Sequence, residues 1–517
     1  MRHYYTVEQI RAAEAPLLAG LPDGALMRRA AFGLATAVAR ELRTRTGGVA
    51  GRHVCAVVGS GDNGGDALWA ATFLRRRGAA ATAVLLSPER VHAKGLAAFT
   101  GAGGRVVDSV PTTTDLVLDG VVGISGKGAL RPGAAQVFAA VHAAGIPVVA
   151  VDIPSGIDAH TGATDGPAVC AALTVTFGGR KPVHALGDCG RVELIDIGLD
   201  LPPTDMHSLE ADDVRACWPV PGRADDKYTQ GVTGVLAGSS TYPGAAVLCT
   251  GAAVNATSGM VRYAGSAAAQ VVAHWPEVVP AASAAAAGRV QAWVVGPGMG
   301  TDEAAAAAVW FALDTEVPVI VDADALTILA GGSGYRDLLA RRAERGTPTV
   351  LTPHDREFAR LAGHPPGTDR VAAARSLADE LGCTVLLKGH VTVVAAPGGS
   401  ARLAGGEAKL GPPHGPGGSA RLAGGEAKLG PPHEPGGPVY LNSAGQSWAA
   451  TAGSGDVLSG MVGALLASGL PPAAAAAAAA FVHSSAAAAA ATDPGPGAAP
   501  TSASRICAHI RTALAEL

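Results

Sequence analysis

Val54-Cys-Ala-Val-Val58 leads directly into Gly59-Ser-Gly-Asp-Asn-Gly-Gly-Asp66. The first segment is short, apolar and rich in β-branched residues, as in a buried strand, and the second is a tight, glycine-rich turn. The residues that follow repeat apolar side chains at helical spacing, namely Ala67, Ala70, Ala71 and Leu74. A strand, a glycine turn and a helix in this order form the repeating unit of a parallel α/β sheet.

The same alternation of short apolar runs and helical stretches continues along the chain. In the first half the runs are Val54–Val58, Ala83–Leu86, Leu116–Leu118, Val148–Val151 and Leu173–Phe177. In the second half they are Val232–Ala237, Ala292–Val295, Val319–Asp322, Thr349–Leu351, Thr384–Leu387 and Val391–Ala395. Between the halves lies Leu201-Pro-Pro-Thr-Asp205, a Pro-rich stretch without periodicity that is typical of a linker. We therefore predict two α/β domains, over residues 1–208 and 209–517.

The length and composition agree with two domains, because 517 residues are too many for one hydrophobic core. A hydrophobic content of 48% with only 16% charged residues excludes a disordered polyelectrolyte. The net charge is −4 and the charges are spread along the chain, so neither nucleic acid nor a membrane is expected as a partner. The alanine runs at 473–480 and 486–491 are separated by a polar interruption, and they predict a helix of the folded protein rather than a membrane span.

Two features bear on the cellular compartment. The first residues carry no long apolar stretch, so no secretory signal is expected. The seven cysteines are scattered and form no CxxC pair, which suits reduced thiols better than disulfides or a zinc site. We expect a cytoplasmic protein in which cysteines act as small apolar residues.

One tandem repeat stands out in the second half. Gly398–Pro416 and Gly417–Pro435 are the same unit except that Gly415 becomes Glu434. The repeat is rich in Gly and Pro and follows the predicted strand Val391–Ala395. It is interpreted as a duplicated loop insert at 398–435, because loops tolerate insertions at little thermodynamic cost.

The first glycine loop permits two interpretations. Gly59, Gly61 and Gly64 stand at GxGxxG spacing between a strand and a helix, where glycines let the backbone approach a phosphate. The same spacing also suits a tight turn without a ligand. A second loop, Gly123–Gly128, is rich in backbone NH groups but fails as a Walker A motif, since Lys127 is followed by Gly.

Polar side chains also stand at three neighbouring strand ends. Asp119 ends one predicted strand, and Asp152 and Ser155 follow another. In an open α/β sheet such ends meet at one crevice, so these residues and Asn63 could supply oxygen ligands for a hard cation. One carboxylate would then be free for proton transfer. A strand-end Asp can equally cap the next helix.

Together these segments resemble the NAD(P)H-hydrate epimerase domain, across about residues 1–200. The opening Tyr5–Ile10, with Glu14 and Leu26-Met27, is similar to that family's first helices. The resemblance implies that Asn63, Asp119 and Ser155 bind potassium and that Asp152 is a substrate-binding acid/base. It also implies phosphate-cradling segments made of Asp62, Asn63, Gly64, Gly65 and Asp66, and of Gly123, Ile124, Ser125, Gly126, Lys127, Gly128 and Ala129.

Two positions depart from the epimerase pattern. The family usually has Asn where this chain has Asp62, and Gly where it has Ala67. An extra carboxylate beside a phosphate cradle would weaken anion binding unless it points away or caps the helix.

The second half contains the stretch Thr451-Ala-Gly-Ser-Gly-Asp456, whose residue types suggest a catalytic role. It leads into a predicted helix at Val457–Ala467. Gly453 and Gly455 would let backbone NH groups at a helix start face a transferring phosphoryl group. Asp456 stands where it could take a proton from the accepting hydroxyl. The alternative is a plain glycine-rich helix cap.

This stretch and several spaced motifs resemble the ribokinase-like superfamily, in particular its ADP/ATP-dependent NAD(P)H-hydrate dehydratase branch, across about residues 210–517. The resemblance implies an adenine-nucleotide site with Mg²⁺, formed by Lys388, Gly389, His390, Val391, Thr392, Gly453 and Gly455. It implies hydrate contacts from Ala245, Ala246, Gly298, Gly300, His354 and Asp456. Without the resemblance, His354 could equally be a capping residue, and Asp322 and Asp324 could either cap or lie near magnesium-bound phosphate.

The two resemblances occur together in bifunctional NAD(P)H-hydrate repair enzymes. The first domain would interconvert the R and S hydrates of NADH and NADPH. The second would spend ADP or ATP to dehydrate the S hydrate, with Asp456 as the base. The expected cofactors are K⁺ for the epimerase half and Mg²⁺ with ADP or ATP for the other, in a homo-oligomer. The alternative is a ribokinase-like small-molecule kinase fused to an inactive or binding domain.

Overall fold

The computed structural model describes residues 1–123, 128–398 and 436–517. The chain divides into two compact units. One consists of His3–Thr204, and the other consists of Met1–Arg2 and Asp205–Leu517. The division falls inside the Pro-rich stretch Leu201–Asp205. Both units contain parallel strands that alternate with helices, so the predicted two-part α/β class is confirmed.

The first element of the chain is a short strand, β1 (Arg2–Tyr4), and the elements of the N-terminal unit come after it. Its helices are α1 (Val7–Gly20), α2 (Ala25–Thr46), α3 (Asp62–Arg76), α4 (Ala93–Gly101), α5 (Pro132–Ala143) and α6 (Val183–Leu186), with a 3₁₀ turn at Pro88–Arg90. Its strands are β2 (His53–Val58), β3 (Ala80–Leu85), β4 (Arg105–Val106), β5 (Leu116–Gly120), β6 (Val148–Val151), β7 (Leu173–Phe177) and β8 (Arg191–Ile195). Strands β4 and β8 were not among the predicted runs.

The sheet of this unit has the order β4-β3-β2-β5-β6-β7-β8, and all its pairs are parallel. One apolar layer joins α2, α3 and α4 to one face, and a second joins α5 to the other, which makes three layers. The strand order reverses between β2 and β5. Ligands of open α/β sheets bind outside the carboxyl ends of the strands at such a reversal, which places the two glycine loops where a site is expected.

Helix α3 begins at Asp62, earlier than the sequence indicated, because a helix had been expected only after Asp66. The predicted inner face is correct, since Ala67, Ala70, Ala71 and Leu74 are all fully buried. The methyl group of Ala67 lies against Gly120, where a Cβ would come within 2.6 Å of it. The absence of a side chain at Gly120 therefore accommodates the methyl group of Ala67.

The C-terminal unit contains eleven helices within Asp205–Leu517 as described. They are α7 (Ala211–Cys217), α8 (Pro243–Ala256), α9 (Ala268–His274), α10 (Glu303–Asp314), α11 (Asp324–Ala330), α12 (Ser333–Glu344), α13 (Asp355–Ala362), α14 (Arg370–Leu381), α15 (Ser454–Ala467), α16 (Pro472–Thr492) and α17 (Ala503–Ala515). A 3₁₀ turn lies at Ala285–Ala287. The strands are β9 (Met206–Ser208), β10 (Val232–Leu236), β11 (Met260–Tyr263), β12 (Val279–Pro280), β13 (Ala292–Val295), β14 (Val319–Val321), β15 (Thr349–Leu351), β16 (Thr384–Leu387), β17 (Val391–Ala395) and β18 (Val439–Ser443).

Within Asp205–Leu517 the strand order is β9-β18-β17-β16-β15-β14-β13-β10-β11-β12. In this order, every pair of neighbouring strands between β15 and β12 is parallel. The pairs β16–β17 and β17–β18 are antiparallel. The order reverses between β10 and β13, whose ends lead into Gly238 and Gly296. Of the predicted 398–435 insert, residues 399–435 lie outside the described residues, and they connect the two antiparallel strands β17 and β18.

Helix α16 is the one helix in the described part of the chain that is long and apolar enough to cross a membrane. Its most apolar window has a mean hydropathy of 1.4, and 67% of that window is buried inside the protein. It packs on α15 and α17 as part of the large apolar core of this unit. All seven cysteines are free thiols, and five of them are buried, as expected of small apolar residues.

Candidate active sites

The end of β5 places Asp119 at the strand-order reversal of the N-terminal sheet. Its carboxylate is completely buried and accepts hydrogen bonds from the Ser155 hydroxyl at 2.7 Å and the Ser155 amide at 2.8 Å. Burial raises the pKa of Asp119 to about 6, because hydrogen bonds from Ser155 and Val121 only partly offset the desolvation. Among the described residues Asp119 makes no ion pair with a basic side chain. The predicted residues Asp119 and Ser155 thus do come together.

Asn63 reaches the same place from the first turn of α3. Its side-chain amide contacts the carbonyl oxygens of Val122 at 3.3 Å and Val151 at 2.5 Å. A Cβ on Gly123 would come within 2.4 Å of the Asn63 Oδ1, so glycine is needed for this approach. Carboxylate, hydroxyl, amide and carbonyl oxygens therefore converge around an uncompensated carboxylate, and this donor set fits a hard cation.

Asp152 follows β6 in a backbone conformation that strains a non-glycine residue, with φ of 69°. Its carboxylate accepts a hydrogen bond from Thr176 at 2.8 Å and is paired with the ammonium group of Lys181 at 2.5 Å. Burial alone would raise the pKa of Asp152, but Lys181 and Thr176 outweigh it, so that the pKa lies below its usual value. Asp152 is therefore held as a buried carboxylate.

Sequence reasoning missed Lys181 and Thr176, although both lie at or just after a strand end, which is the signal that could have found them. Lys181 is 2% exposed, so its charge is matched by Asp152 inside the protein. His184 accepts a hydrogen bond from the Lys181 amide at 2.9 Å, and its other ring nitrogen faces the Asp152 carbonyl at 2.8 Å. Burial lowers the pKa of His184 to about 4, so this ring is neutral and holds the loop together.

The predicted phosphate-cradling residues are only partly described. Asp62 is exposed in the first turn of α3, whereas Gly64, Gly65 and Asp66 are buried inside that helix. The amides of Gly64 and Gly65 bond back to the Gly61 carbonyl, so the helix uses them itself. Gly123, Gly128 and Ala129 flank the second loop, but Ile124, Ser125, Gly126 and Lys127 lie outside the described residues.

In the C-terminal unit, Gly453 caps α15 in a left-handed conformation with φ of 84°. The helix begins at Ser454, so Gly455 and Asp456 lie in its first turn instead of before it. Burial, together with the neighbouring Asp322, raises the pKa of Asp456 to about 7. A carboxylate with such a pKa is suited to accept a proton near neutral pH.

Lys388 reaches the start of this helix from the end of β16. Its ammonium group is 2.7 Å from Asp322 Oδ1 and 3.7 Å from Glu357 Oε2. The buried Ser459 hydroxyl donates to Asp322 Oδ2 at 2.7 Å. A Cβ on Gly455 would stand 3.5 Å from the Lys388 ammonium, so glycine keeps the space in front of that ammonium open. Ser459 and Glu357 had not been predicted as site residues.

A cavity of about 570 Å³ lies beside this cluster. Most of the predicted nucleotide residues line it, together with one predicted hydrate contact; the relevant lining residues are His354, Lys388, Gly389, His390, Thr392 and Gly455. A helix start, an ammonium group and an open cavity fit a nucleotide phosphate chain. Val391 begins β17 and is buried, and Gly453 caps the helix behind the cavity.

The remaining predicted hydrate contacts lie at the reversal between β10 and β13. Gly298 has a φ of 59°, and a Cβ there would come within 2.6 Å of the Ala245 methyl group. Ala246 is buried against Gly238. Gly300 donates its amide hydrogen to Asp324 at 2.9 Å, so Asp324 anchors this loop.

His354 caps a helix and also lines the cavity, whereas its contact with the hydrate stays a prediction. Its Nδ1 accepts hydrogen bonds from the amides of Arg356 at 3.1 Å and Glu357 at 3.3 Å, which caps α13. The same half-exposed ring also lines the cavity.

Comparison with known proteins gives a family match in each of the two units. Residues 233–409 and 432–509 match the NAD(P)H-hydrate dehydratase family, and residues 23–183 match the family described as YjeF-related protein N-terminus. The bifunctional NAD(P)H-hydrate repair enzyme Nnr of Mycobacterium tuberculosis H37Rv is 72% identical over 517 residues, covering 100% of both chains. The chain belongs to the bifunctional NAD(P)H-hydrate repair enzyme family. This confirms the main functional interpretation of the sequence over a kinase fused to an inactive domain.

More distant repair enzymes match as well. The Corynebacterium glutamicum repair enzyme is 35% identical, over 90% of this chain and 87% of that protein. Among solved structures, an ADP/ATP-dependent NAD(P)H-hydrate dehydratase from Bacillus subtilis, co-crystallised with ATP/Mg²⁺, is 24% identical. It covers 61% of this chain and 99% of its own, with a TM-score of 0.46.

Proposed function

We propose that residues 1–208 interconvert the R and S hydrates of NADH and NADPH, and that residues 209–517 dehydrate the S hydrate with ADP or ATP. The observation that carries the proposal is the presence of two strand-end sites, each with an ion pair between a lysine and a buried Asp and with a second Asp whose pKa is raised. Such perturbed carboxyl groups are typical of acid/base catalysis.

In the C-terminal site we propose that Asp456 removes the proton of the hydrate hydroxyl while that oxygen accepts a phosphoryl group. Its carboxyl group stands in the first turn of α15, where the backbone amides face outward and attract phosphate. Phosphorylation converts hydroxide, a poor leaving group, into phosphate, a good one, and elimination then restores the dinucleotide. Ala245, Ala246, Gly298, Gly300 and His354 would contact the hydrate.

The nucleotide would occupy the cavity along Lys388–Thr392, with Gly453 and Gly455 at its phosphates. Mg²⁺ bound with the nucleotide would offset phosphate charge. Lys388 then has two roles, because it neutralises Asp322 in the protein and can face a phosphate oxygen across Gly455.

In the N-terminal site we propose that Asn63, Asp119 and Ser155 hold K⁺, which would supply positive charge beside the bound substrate. Asp152 would be the acid/base that contacts the hydrated ring. The substrate phosphates would lie against the start of α3 and the loop from Gly123 to Ala129. Cytoplasmic location and a homo-oligomeric state stay predictions.

Incubation of the purified protein with a mixture of hydrated NADPH epimers tests the proposal. Absorbance at 340 nm should recover only with ADP or ATP, and it should recover beyond the S fraction because the R hydrate is converted. Recovery that stops at the S fraction would remove the epimerase activity from the proposal. No recovery with either nucleotide would remove both activities.

A further inference from the structure

The carboxyl group of Asp66 is buried without a partner on one of its oxygens. The residue is 7% exposed, and its Oδ1 makes no hydrogen bond to any described residue. It lies inside α3, one turn beyond the exposed amides at the helix start.

The neighbours of Asp66 are themselves acidic. Burial first, and then the carboxyl groups of Asp152, Asp62 and Glu14, raise its pKa well above the usual value. The ammonium group of Lys181, which acts on Glu14, is paired with Asp152. Burial and the acidic neighbours therefore favour the protonated form of Asp66, which has an O–H to donate.

Asp152 is in the opposite state. It receives hydrogen bonds from Lys181 and Thr176 on Oδ1, and its pKa is lowered. Two neighbouring carboxyl groups with pKa values driven apart by their surroundings can act as acid and base in the same reaction.

The substrate requires such a pair. In a nicotinamide hydrate the hydroxyl stands on a ring carbon bonded to the ring nitrogen, so inversion at that carbon can proceed by loss of the hydroxyl and addition of water to the other face. The departing hydroxyl needs a proton, and the incoming water must lose one.

Building on the proposed epimerase function, we propose that Asp66 is a second catalytic residue, the acid that protonates the departing hydroxyl while Asp152 deprotonates the incoming water. The carbon–oxygen bond breaks, water leaves, and the nitrogen lone pair stabilises the cation. Water adds to the opposite face, its oxygen forms the new carbon–oxygen bond, and its proton passes to Asp152. Proton exchange with solvent returns the enzyme to its starting state, and the reverse reaction uses the two carboxyl groups in exchanged roles.

Isotopic water tests the chemistry directly. Purified R hydrate of NADPH is incubated with the full chain in H₂¹⁸O without nucleotide. The S product is then separated, and its ¹⁸O content is measured by mass spectrometry. The proposal expects ¹⁸O in the S hydrate as it forms, with the ring hydrogen on the inverted carbon retained. Inversion without ¹⁸O uptake beyond a blank without enzyme overturns it.

Variants assign the acid. Asp66→Asn should slow R-to-S conversion by about 10²- to 10⁴-fold, as expected for loss of a general acid. Asp108→Asn, which changes an exposed carboxylate beyond β4, is the matched control and should convert normally. Hydrogen exchange in α3 and β2, followed by mass spectrometry, shows whether the N-terminal unit of each variant is folded. Asp66→Asn at the wild-type conversion rate overturns the assignment.

A second variant distinguishes loss of the acid from a packing defect that the side-chain amide of Asp66→Asn introduces in the core. Asp66→Ala removes the acid and leaves space, and added formic acid should restore conversion in a concentration-dependent way. Absence of rescue in a folded Asp66→Ala protein contradicts the assignment. If the wild-type protein converts no R hydrate, the epimerase proposal itself fails, which is distinct from failure of the variants.

Discussion

The two candidate sites share a layout but differ in where their second carboxyl group lies. In each, a strand-end Asp is paired with a lysine, Asp152 with Lys181 and Asp322 with Lys388. Each pair stands at a strained backbone position, Asp152 itself or Ala323 next to Asp322, and these are the two non-glycine residues with positive φ in the described chain. Such strain is characteristic of functional sites.

The difference is the depth of the second carboxyl group. Asp456 lies in the first turn of a helix next to a cavity, and its pKa of about 7 leaves it able to accept a proton. Asp66 lies deeper in its helix with an unpartnered oxygen, and its pKa is raised well above the usual value. Burial and neighbouring carboxyl groups thus raise the pKa of an aspartate in both sites.

The largest expected effect is at Asp456. Asp456→Asn should lower the rate of S-hydrate dehydration by about 10²- to 10⁴-fold, because the hydroxyl then loses its base. Nucleotide binding, measured by calorimetry, should be largely retained. Asp314→Asn, an exposed carboxylate at the end of α10, is the control. Near-normal turnover of Asp456→Asn would show that the two sites do not differ in the way described.

Next in size is the buried pair of the N-terminal site. Lys181→Met leaves Asp152 buried without its cation, and breaking such a pair costs about 3–5 kcal/mol. Hydrogen exchange in β6 and β7, followed by mass spectrometry, should show the loss of stability. Asp152→Asn added to Lys181→Met should recover much of it, because the buried charge is then gone. Equal exchange in all three proteins would contradict the pairing.

The corresponding pair of the C-terminal site should be weaker, since the Lys388 side chain is 21% exposed. Lys388→Met should destabilise strands β14 and β16 by about 2–3 kcal/mol, less than a fully buried pair. Arg215→Met, which removes an exposed partner of Asp212, should cost at most about 0.5 kcal/mol. If Lys388→Met lowered the free energy of unfolding more than Lys181→Met, the C-terminal pair would be the stronger of the two, which contradicts this prediction.

The two activities should also differ in pH dependence. Asp456 must be ionised to act as a base, and with a pKa of about 7 its ionised fraction rises as the pH increases. The kcat/KM for dehydration should therefore rise about tenfold from pH 6 to pH 8. Over the same range Asp152 should stay ionised, because its pKa lies below its usual value. Rates are corrected with blanks without enzyme, and a flat dehydration profile would contradict the assignment of Asp456.

The smallest effect concerns Ala67. Ala67→Gly introduces the residue that the epimerase pattern usually has and should lower the free energy of unfolding by about 1 kcal/mol, because glycine is less favourable inside a helix. Epimerisation should be unchanged, since the Ala67 methyl group only packs against Gly120. Thermal unfolding and R-to-S conversion measure the two effects. A change in conversion would mean that this departure from the pattern matters for activity.

The strands were the most predictable part of the fold. Buried strands such as β2, β6 and β7 were found because a parallel sheet covered on both faces produces continuous apolar runs. Strand β8 was missed because its residues are only partly buried and alternate with charged side chains. The helix starts at Asp62 and Ser454 were placed too late, because a glycine-rich start carries little helical propensity of its own.

What the sequence alone determined is the chemistry available at the strand ends: the glycine loops, Asp119, Asp152, Lys388 and Asp456, and the family resemblance that they carry. Only the tertiary structure decided which charged side chains form ion pairs with one another. Lys181 reaches Asp152, Lys388 reaches Asp322, and Asp66 is left with an unpartnered oxygen, because the packing of separate strands and helices sets those distances. Protonation follows from burial and from neighbouring charge, which depend on residues far apart in the chain.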